Sequence, residues 1–469
     1  MSICQVTIFV TMTCFTKDTL QQFSKTQLIE IIITIQEGNE VEIKLPIKNS
    51  TNSSIPSSKD IAKKETESNN KSKIIKPHGG PKHGHAGISR KTVANPDIII
   101  FKKIEICPRT GELINSNSKS FHIHQIIELL PAAIKVIEIQ RQTTTGPDGK
   151  TIIAPNPDGI QNHQKFGPYL KSFIATLRFR FHMEWDNIRA FFELFYTETI
   201  SKGAMNSIFN QLRDEFQSEY NQIGEEIKKN AVVGADETGA RIDGKKYWSW
   251  VFRTDELTQF KVADNRSHSV VQETLGEDFS GTLVTDFFGA YSDKFFPDSQ
   301  KQKCIAHLSR DVKFGKEINN DETGFPSTLL NILNEALKVK KEGIFNSPSF
   351  VEKRLELETK LDQLIRDEKI CKNKIEKRLQ KRLIKNRKDI FTFLYNDQVP
   401  PDNNGSERDI RKWVIFRKIY GCFRSKEGAE NTAVIMSIMD TCKKKKVNFF
   451  EKILNAFDVS AFRSVCKAE

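Results

Sequence analysis

The chain has 469 residues, 72 basic and 60 acidic side chains, a net charge of +12 and a pI near 9.1. That length allows two to four domains, and the basic excess points to a polyanionic partner, nucleic acid first. No apolar run approaches a membrane span, and the eight cysteines (4, 14, 107, 304, 371, 422, 442 and 466) form no C-x-x-C pair, which argues against a membrane protein and against a disulfide framework. The apolar, threonine-rich stretch Cys4 to Phe15 lacks the basic region and cleavage site of a signal peptide. A cytoplasmic location is therefore expected.

Residues 1–48 hold apolar positions near helical spacing from Thr19 to Gln36, which predicts an N-terminal helical segment. Residues 49–95 are rich in Ser, Asn, Lys, Gly and Pro and read as a disordered basic linker, with Lys82 and Arg90 available to phosphates. Residues 96–160 carry a strand-like run, Ile98 to Ile106, leading into Cys107-Pro108-Arg109-Thr110-Gly111. This has the outline of a zinc knuckle, but Thr110 stands where a second cysteine belongs, and no cysteine pair follows. Tetrahedral zinc needs four N or S ligands, so a degenerate, zinc-free segment is expected.

Residues 166–230 show three helical stretches, Pro168 to Arg180, Trp185 to Tyr196 and Ser201 to Gln222, with Ser201 in a capping turn. Arg178, Arg180, Arg189 and Lys202 suit a helix-turn-helix reader, and a bundle that only packs on its neighbour is the equal alternative. Residues 231–326 alternate strands and a helix. Val232 to Gly239 reads as a buried strand ending in Asp236. A turn at Asp243-Gly244 and an aromatic strand around Tyr247 to Phe252 follow. Thr258 to Ala263 is a third strand, Ser269 to Leu275 a helix, and Gly281 to Phe287 a fourth strand ending in Asp286. Lys303 to His307 reads as a short fifth strand that runs into a helix. Three antiparallel strands, a helix and a further strand with an acid at its end is the order of an RNase H-like sheet.

Residues 327–395 read as a helical insertion of two long charged helices, Leu329 to Lys341 and Phe350 to Phe393. Leu355, Leu357, Leu361, Leu364 and Ile365 would share one side, and Lys372 to Arg387 is strongly basic. In residues 396–442, Asn404 or Ser406 can cap a helix that carries Glu407, Arg408 and Arg411, followed by Arg417 and Lys418. Thr432 to Cys442 is an apolar closing helix, and Phe449 to Phe457, in residues 443–469, a last one.

Asp236, Asp286 and Glu407 stand out as catalytic and metal-binding candidates. In such a sheet the first and fourth strands are neighbours, so their acids would meet, and a helix across that edge would bring the third. Convergent carboxylates make a hard site for Mg²⁺ or Mn²⁺, in a two-ion arrangement suited to phosphodiester chemistry. Arg411 and Lys418, on the Glu407 face, would hold phosphates. Glu237 is the alternative to Asp236, though alternation along a strand turns it to the other side. Asp243 and Asp293 read as turn residues, and His307 as a hydrogen-bonding histidine that could face the site.

Ala235-Asp236-Glu237-Thr238-Gly239-Ala240-Arg241 with Trp248-Ser249-Trp250-Val251, Leu283-Val284-Thr285-Asp286 with Gly289-Ala290-Tyr291, Cys304-Ile305-Ala306-His307-Leu308-Ser309-Arg310, and Asn403-Asn404-Gly405-Ser406-Glu407-Arg408 with Arg417-Lys418 together resemble the IS66-type transposases of bacterial insertion sequences. The resemblance runs from about residue 76 onward. It implies a DDE transposase: an α/β catalytic core with an RNase H-like mixed sheet, an N-terminal helical region and a helical insertion before the last acid. Such an enzyme cuts element ends and joins the freed 3′-hydroxyls to target DNA with Mg²⁺, through Asp236, Asp286 and Glu407. It further implies double-stranded DNA as partner, a homo-oligomer on DNA, accessory proteins encoded by the element and a nucleoid-associated location. Family members carry a four-cysteine zinc segment upstream, of which this chain keeps Cys107. An inactive, transposase-derived DNA-binding protein is therefore the alternative function.

Overall fold

The computed structural model describes residues 164–319, 323–367 and 370–457, short pieces before them (5–10, 41–46, 110–113, 136–145 and 151–155), and a few single positions. The expected helix at Thr19 to Gln36, the basic linker with Lys82 and Arg90, and the segment around Cys107 lie outside the described residues. The chain divides into two compact units, residues 1–67 with 138–469, and residues 68–137. In the first unit, β1 (Gln5–Val10) and β2 (Val41–Pro46) pair antiparallel, as do β3 (Thr143–Thr145) and β4 (Thr151–Ile153).

Three helices follow: α1 (Pro168–Phe179), α2 (Trp185–Tyr196) and α3 (Lys202–Lys228). Ser201 caps α3 by accepting from the Ala204 N–H at 3.2 Å, and the helix runs six residues beyond the expected Gln222. Of the four cations suited to a DNA reader, Arg178 is buried beneath aromatic rings, 3.6 Å from the Tyr420 ring centre. Arg189 and Lys202 pair with Asp186. Arg180 stays exposed. These helices share one apolar core with the sheet.

The sheet has five strands: β5 (Val232–Ile242), β6 (Lys245–Arg253), β7 (Thr258–Ala263), β8 (Thr282–Thr285) and β9 (Gln300–Lys303), in the order β7-β6-β5-β8-β9. The first three are antiparallel, and β8 and β9 lie parallel to β5. Asp243 and Gly244 both take positive φ (49° and 71°) in the tight β5–β6 turn, the geometry that an Asp-Gly pair accepts at low cost. Helix α4 (His268–Leu275) crosses from β7 to β8. Strand β5 does not end at Asp236 as expected. It continues six residues further because β6 pairs with it throughout. The fifth strand also sits earlier than expected, ending at Lys303 with the helix α5 (Ile305–Asn319) beginning two residues later.

Among the described residues, side chains bond backbone groups on both edges of the sheet. On β7, the N–H groups of Phe260 and Thr258 donate to Ser437 and Thr441 hydroxyls at 2.8 and 3.1 Å. On β9, the Lys301 carbonyl accepts from the Thr392 hydroxyl at 2.5 Å, and the buried Gln302 side chain holds that segment in place through the Ile390 carbonyl (3.0 Å) and the Phe393 N–H (2.9 Å). Covering an edge in this way satisfies backbone groups that would otherwise template strand addition.

The insertion contains α6 (Phe325–Glu342), α7 (Pro348–Arg366) and α8 (Lys374–Lys385), followed by two 3-10 turns. The single helix expected from Phe350 to Phe393 is thus broken. Asn373 starts a new helix by accepting from the Ile375 and Glu376 N–H groups. Leu357, Leu361, Leu364 and Ile365 are buried in a second core with α5, α6 and α8, whereas Leu355 lies on the far side of α7, 54% exposed. Last come α9 (Asn404–Tyr420), α10 (Lys426–Lys444) and α11 (Phe449–Ala456). Among the described residues no helix is long and apolar enough to cross a membrane.

A buried ionic knot joins β6, α9 and α10. Asp409 contacts Lys444 (2.8 Å), Arg253 (3.1 Å) and Lys412 (3.3 Å), and Lys412 also pairs with Asp440. Burial alone would raise the Asp409 pKa, but Lys444, Lys412 and Arg253 together hold it below the usual carboxylate value. A depressed folded pKa stabilises above the unfolded value and ceases to do so as pH falls through the folded one. We predict that Asp409→Asn costs about 3 kcal/mol at neutral pH by leaving buried cations unpaired. In urea melts at a series of pH values, the gap from the parent should close below about pH 4.

Candidate active site

Strand register sets the first two acids at neighbouring positions. Strands β5 and β8 run parallel, with Gly234 opposite Val284 as their last pair. Asp236 and Asp286 each lie two residues beyond it, on strands about 4.8 Å apart. Asp286 directly follows β8, and its Oδ1 accepts from the Phe288 N–H at 2.8 Å, which fixes the turn. Buried Lys303 donates to the Asp286 carbonyl oxygen at 3.2 Å. The Asp236 carboxyl is pushed well above its ordinary pKa, first by burial and then by Glu237, Asp286 and Glu407.

Glu237 has its side chain 1% exposed and already engaged. The Tyr291 hydroxyl donates to it at 2.6 Å, and Arg266 at 2.8 Å. Arg266 in turn lies over the Phe288 ring. Asp236 shares its side of β5 with Gly234 and Thr238, where α9 packs. Ser406 of α9 leaves no room for a Cβ at Gly234, and Arg417 reaches Thr238 at 3.4 Å.

The third acid arrives by a different route. Helix α9 begins after Asn403, and neither Asn404 nor Ser406 caps it with a side-chain bond. The Asn403 side chain instead donates to the Ala235 carbonyl at 2.8 Å. Its backbone N–H donates to Cys304 Sγ at 3.2 Å, and Ile305 N–H donates to the Pro401 carbonyl at 3.0 Å. One turn into α9, Glu407 stands 3.4 Å from both Arg310 Nη2 and His307 Nδ1. The histidine contact is too poorly aligned for a hydrogen bond, so Nδ1 has no partner. Burial holds His307 below its usual pKa, despite the nearby Glu407.

The Arg310 contact with Glu407 was not anticipated. The signal for it was present, since Cys304, His307 and Arg310 recur at intervals of three in one motif. Lys303, Tyr291 and Arg266 were missed because nothing local marks a buried lysine or a tyrosine as support for a distant acid. Asp293 does more than turn the chain, pairing with buried Lys301 and with Lys388. Arg408, Arg411 and Lys418 are exposed, whereas Arg417 is drawn to the Gly239 carbonyl and Thr238.

The model of the Transposase IS66 family matches residues 163–431. The chain belongs to the IS66 transposase family. The match spans α1 to the first turns of α10 and takes in the sheet, the insertion and all three acids. No curated protein matches the chain. Family membership makes this a transposase domain whose substrate is DNA.

Crowded carboxylates repel one another until a cation neutralises them. We predict that Asp236→Asn raises the melting temperature of the metal-free transposase, that Mn²⁺ raises that of the parent, and that it does not raise that of the variant further. A site exposed to a hundredfold excess over its dissociation constant stabilises by about 2.7 kcal/mol. An unchanged response to Mn²⁺ in the variant would place the cation elsewhere.

Proposed function

We propose that the chain cleaves DNA strands and transfers them by a divalent-cation-dependent DDE mechanism, with Asp236, Asp286 and Glu407 as the acids on an RNase H-like sheet. The observation that carries this reading is the register. Two acids sit at matching positions past the last β5–β8 pair, and Asn403 ties the start of the third acid's helix to the residue before Asp236. The strand order β7-β6-β5-β8-β9, with three antiparallel strands and two parallel ones, supports the fold assignment.

The donors fit a hard cation. Asp236 and Asp286 offer carboxylate oxygens, and the charged form of Asp236 is disfavoured first by burial and then by its acidic neighbours, both of which a bound cation would offset. Asp236 and Asp286 would hold Mg²⁺ or Mn²⁺, with Glu407 completing the set. The cation supplies activation of a water or 3′-hydroxyl and charge neutralisation at the scissile phosphate. The chain's own contribution is position. Lys303 and the Asp286 turn fix one acid, the β5–β6 ladder fixes the second, and His307 with Arg310 flank the third. Exposed Arg408, Arg411 and Lys418 of α9 offer phosphate contacts beside that edge.

A second basic surface supports a DNA path. Lys377, Arg378, Lys381 and Lys385 are exposed on one face of α8 and have no ion pair among the described residues. Their spacing of three and four residues stacks them along the helix. The helix is anchored next to the acids. Arg382 lies 4.6 Å from the centre of the Phe287 ring, one residue after Asp286, and pairs with Asp311 at 2.8 Å.

The deciding experiment uses a labelled duplex carrying the element's own ends. Mn²⁺- or Mg²⁺-dependent nicking at the terminus is expected, reduced at least about a hundredfold in Asp286→Ala and Glu407→Ala. DNA binding with no cut under any metal would instead identify an inactive DNA-binding descendant. For the α8 face, replacing its four cations with Gln should flatten the plot of log affinity against log salt by about 3–4 units, roughly 0.9 per lost phosphate contact. An unchanged slope would remove α8 from the DNA path.

A further inference from the structure

Three unlike donors meet at the junction of β9, α5 and α9. The Cys304 sulfur, a His307 ring nitrogen and a Glu407 carboxylate oxygen all lie within 4.8 Å of one another. Asp236 and Asp286 are not part of this set. We infer that Cys304, His307 and Glu407 form a binding site for a borderline-soft divalent cation of the zinc class, separate from the hard-cation site of the paired aspartates and sharing one carboxylate with it.

The chemistry of the donors argues for this choice. Thiolate, imidazole and carboxylate are the usual ligands of tetrahedral zinc, and a thiolate discriminates against Mg²⁺. Three protein ligands leave a fourth position open. Cys304 and His307 are three residues apart, which places both donors on one side of the first turn of α5, and Glu407 comes from the facing helix. His307 Nδ1 is buried and lacks a hydrogen-bond partner, an arrangement that a cation would satisfy. Burial pushes the Cys304 thiol up to about 11, so the cation has to displace its proton; the Asn403 N–H, which Sγ accepts at 3.2 Å, works the other way and favours the charged sulfur. His307 and Glu407 side chains are 22% and 33% exposed, so the cation has a way in from solvent although the cysteine is buried.

Binding replaces the thiol proton of Cys304 with the cation. The proton leaves to solvent, and no atom changes oxidation state. The consequence concerns Glu407. A carboxylate oxygen bound beside His307 is not available to the aspartates, so a zinc-class cation withdraws the third acid from the proposed DDE set. This last step rests on the proposed function, but the site itself does not.

Co²⁺ is the probe, added to the full chain without DNA. Thiolate-to-cobalt charge-transfer absorption is expected at one equivalent, with release of one proton. It should vanish in Cys304→Ser and need about tenfold or more cobalt in His307→Gln. Absorption that survives Cys304→Ser belongs to another of the eight cysteines and overturns the proposal. So does cobalt binding without a charge-transfer band. Thermal melts check that the variants fold. If Cys304→Ser does not, His307→Gln decides, and unchanged affinity there overturns the site. In the cleavage assay, Zn²⁺ added to the Mg²⁺ reaction should inhibit the parent. Because the cobalt signal needs neither DNA nor cleavage, it can fail while the transposase reading stands, and the reverse.

Discussion

The sheet edge that carries the candidate acids depends on one asparagine. Asn403 is buried, and its two donors point at different parts of the chain: the side-chain amide at the Ala235 carbonyl, the backbone N–H at Cys304 Sγ. Ala235 precedes the first acid. Cys304 itself donates from its backbone to the Thr285 carbonyl, just before the second. One residue therefore links the start of the helix that bears Glu407 to both acid-bearing strands. A helix N-terminus has orphan N–H groups that would normally be met by a capping side chain. Here the asparagine side chain is spent on tertiary attachment, and local cap energy is exchanged for long-range position. That matters because residue 407 is separated from residue 286 by the whole insertion.

The insertion is a second hydrophobic unit built around α5 to α8, and it reaches the sheet through Val284 and Phe287. These flank the second acid on either side. The arrangement gives α8 a short mechanical path to Asp286, by way of Arg382 and the Phe287 ring. On the other side of the sheet, α10 serves as a structural spine. Its apolar residues fill the first core while Ser437, Asp440 and Thr441 bond strand β7.

Strand order, and with it the adjacency of the two strands that lead into Asp236 and Asp286, was legible in the sequence because each strand rests on a local signal. Alternating bulky residues from Tyr247 to Phe252 marked β6, Asp-Gly marked its turn, and an apolar run into Asp286 marked β8. Glu407 was picked out from its place in the first turn of a late helix and again by family resemblance, but no local pattern tells how a helix packs 120 residues later in the chain. Where the reading slipped, tertiary contacts had overridden local cues. The end of β5 was masked because hairpin pairing carries a strand through an acid that looks like a terminus. The break in the insertion helix was masked because Asn373 is unremarkable until its side chain is seen to accept two N–H groups. Arg178 looked like a DNA contact from its charge, yet burial against Trp185, Phe416 and Tyr420 lowers its pKa to about 10 and makes it a packing residue.

The sealed borders of the sheet bear on how copies of this protein could come together. Strand addition needs a row of unpaired backbone groups, and here α10 interrupts that row at Thr258 and Phe260 on one border while Thr392 interrupts it at Lys301 on the other. Joining two sheets edge to edge would first mean peeling away a helix whose hydroxyls sit in the core. Crowding of copies then brings helical and cationic surfaces together more readily than strand edges, and it does not set the sheets growing into one another.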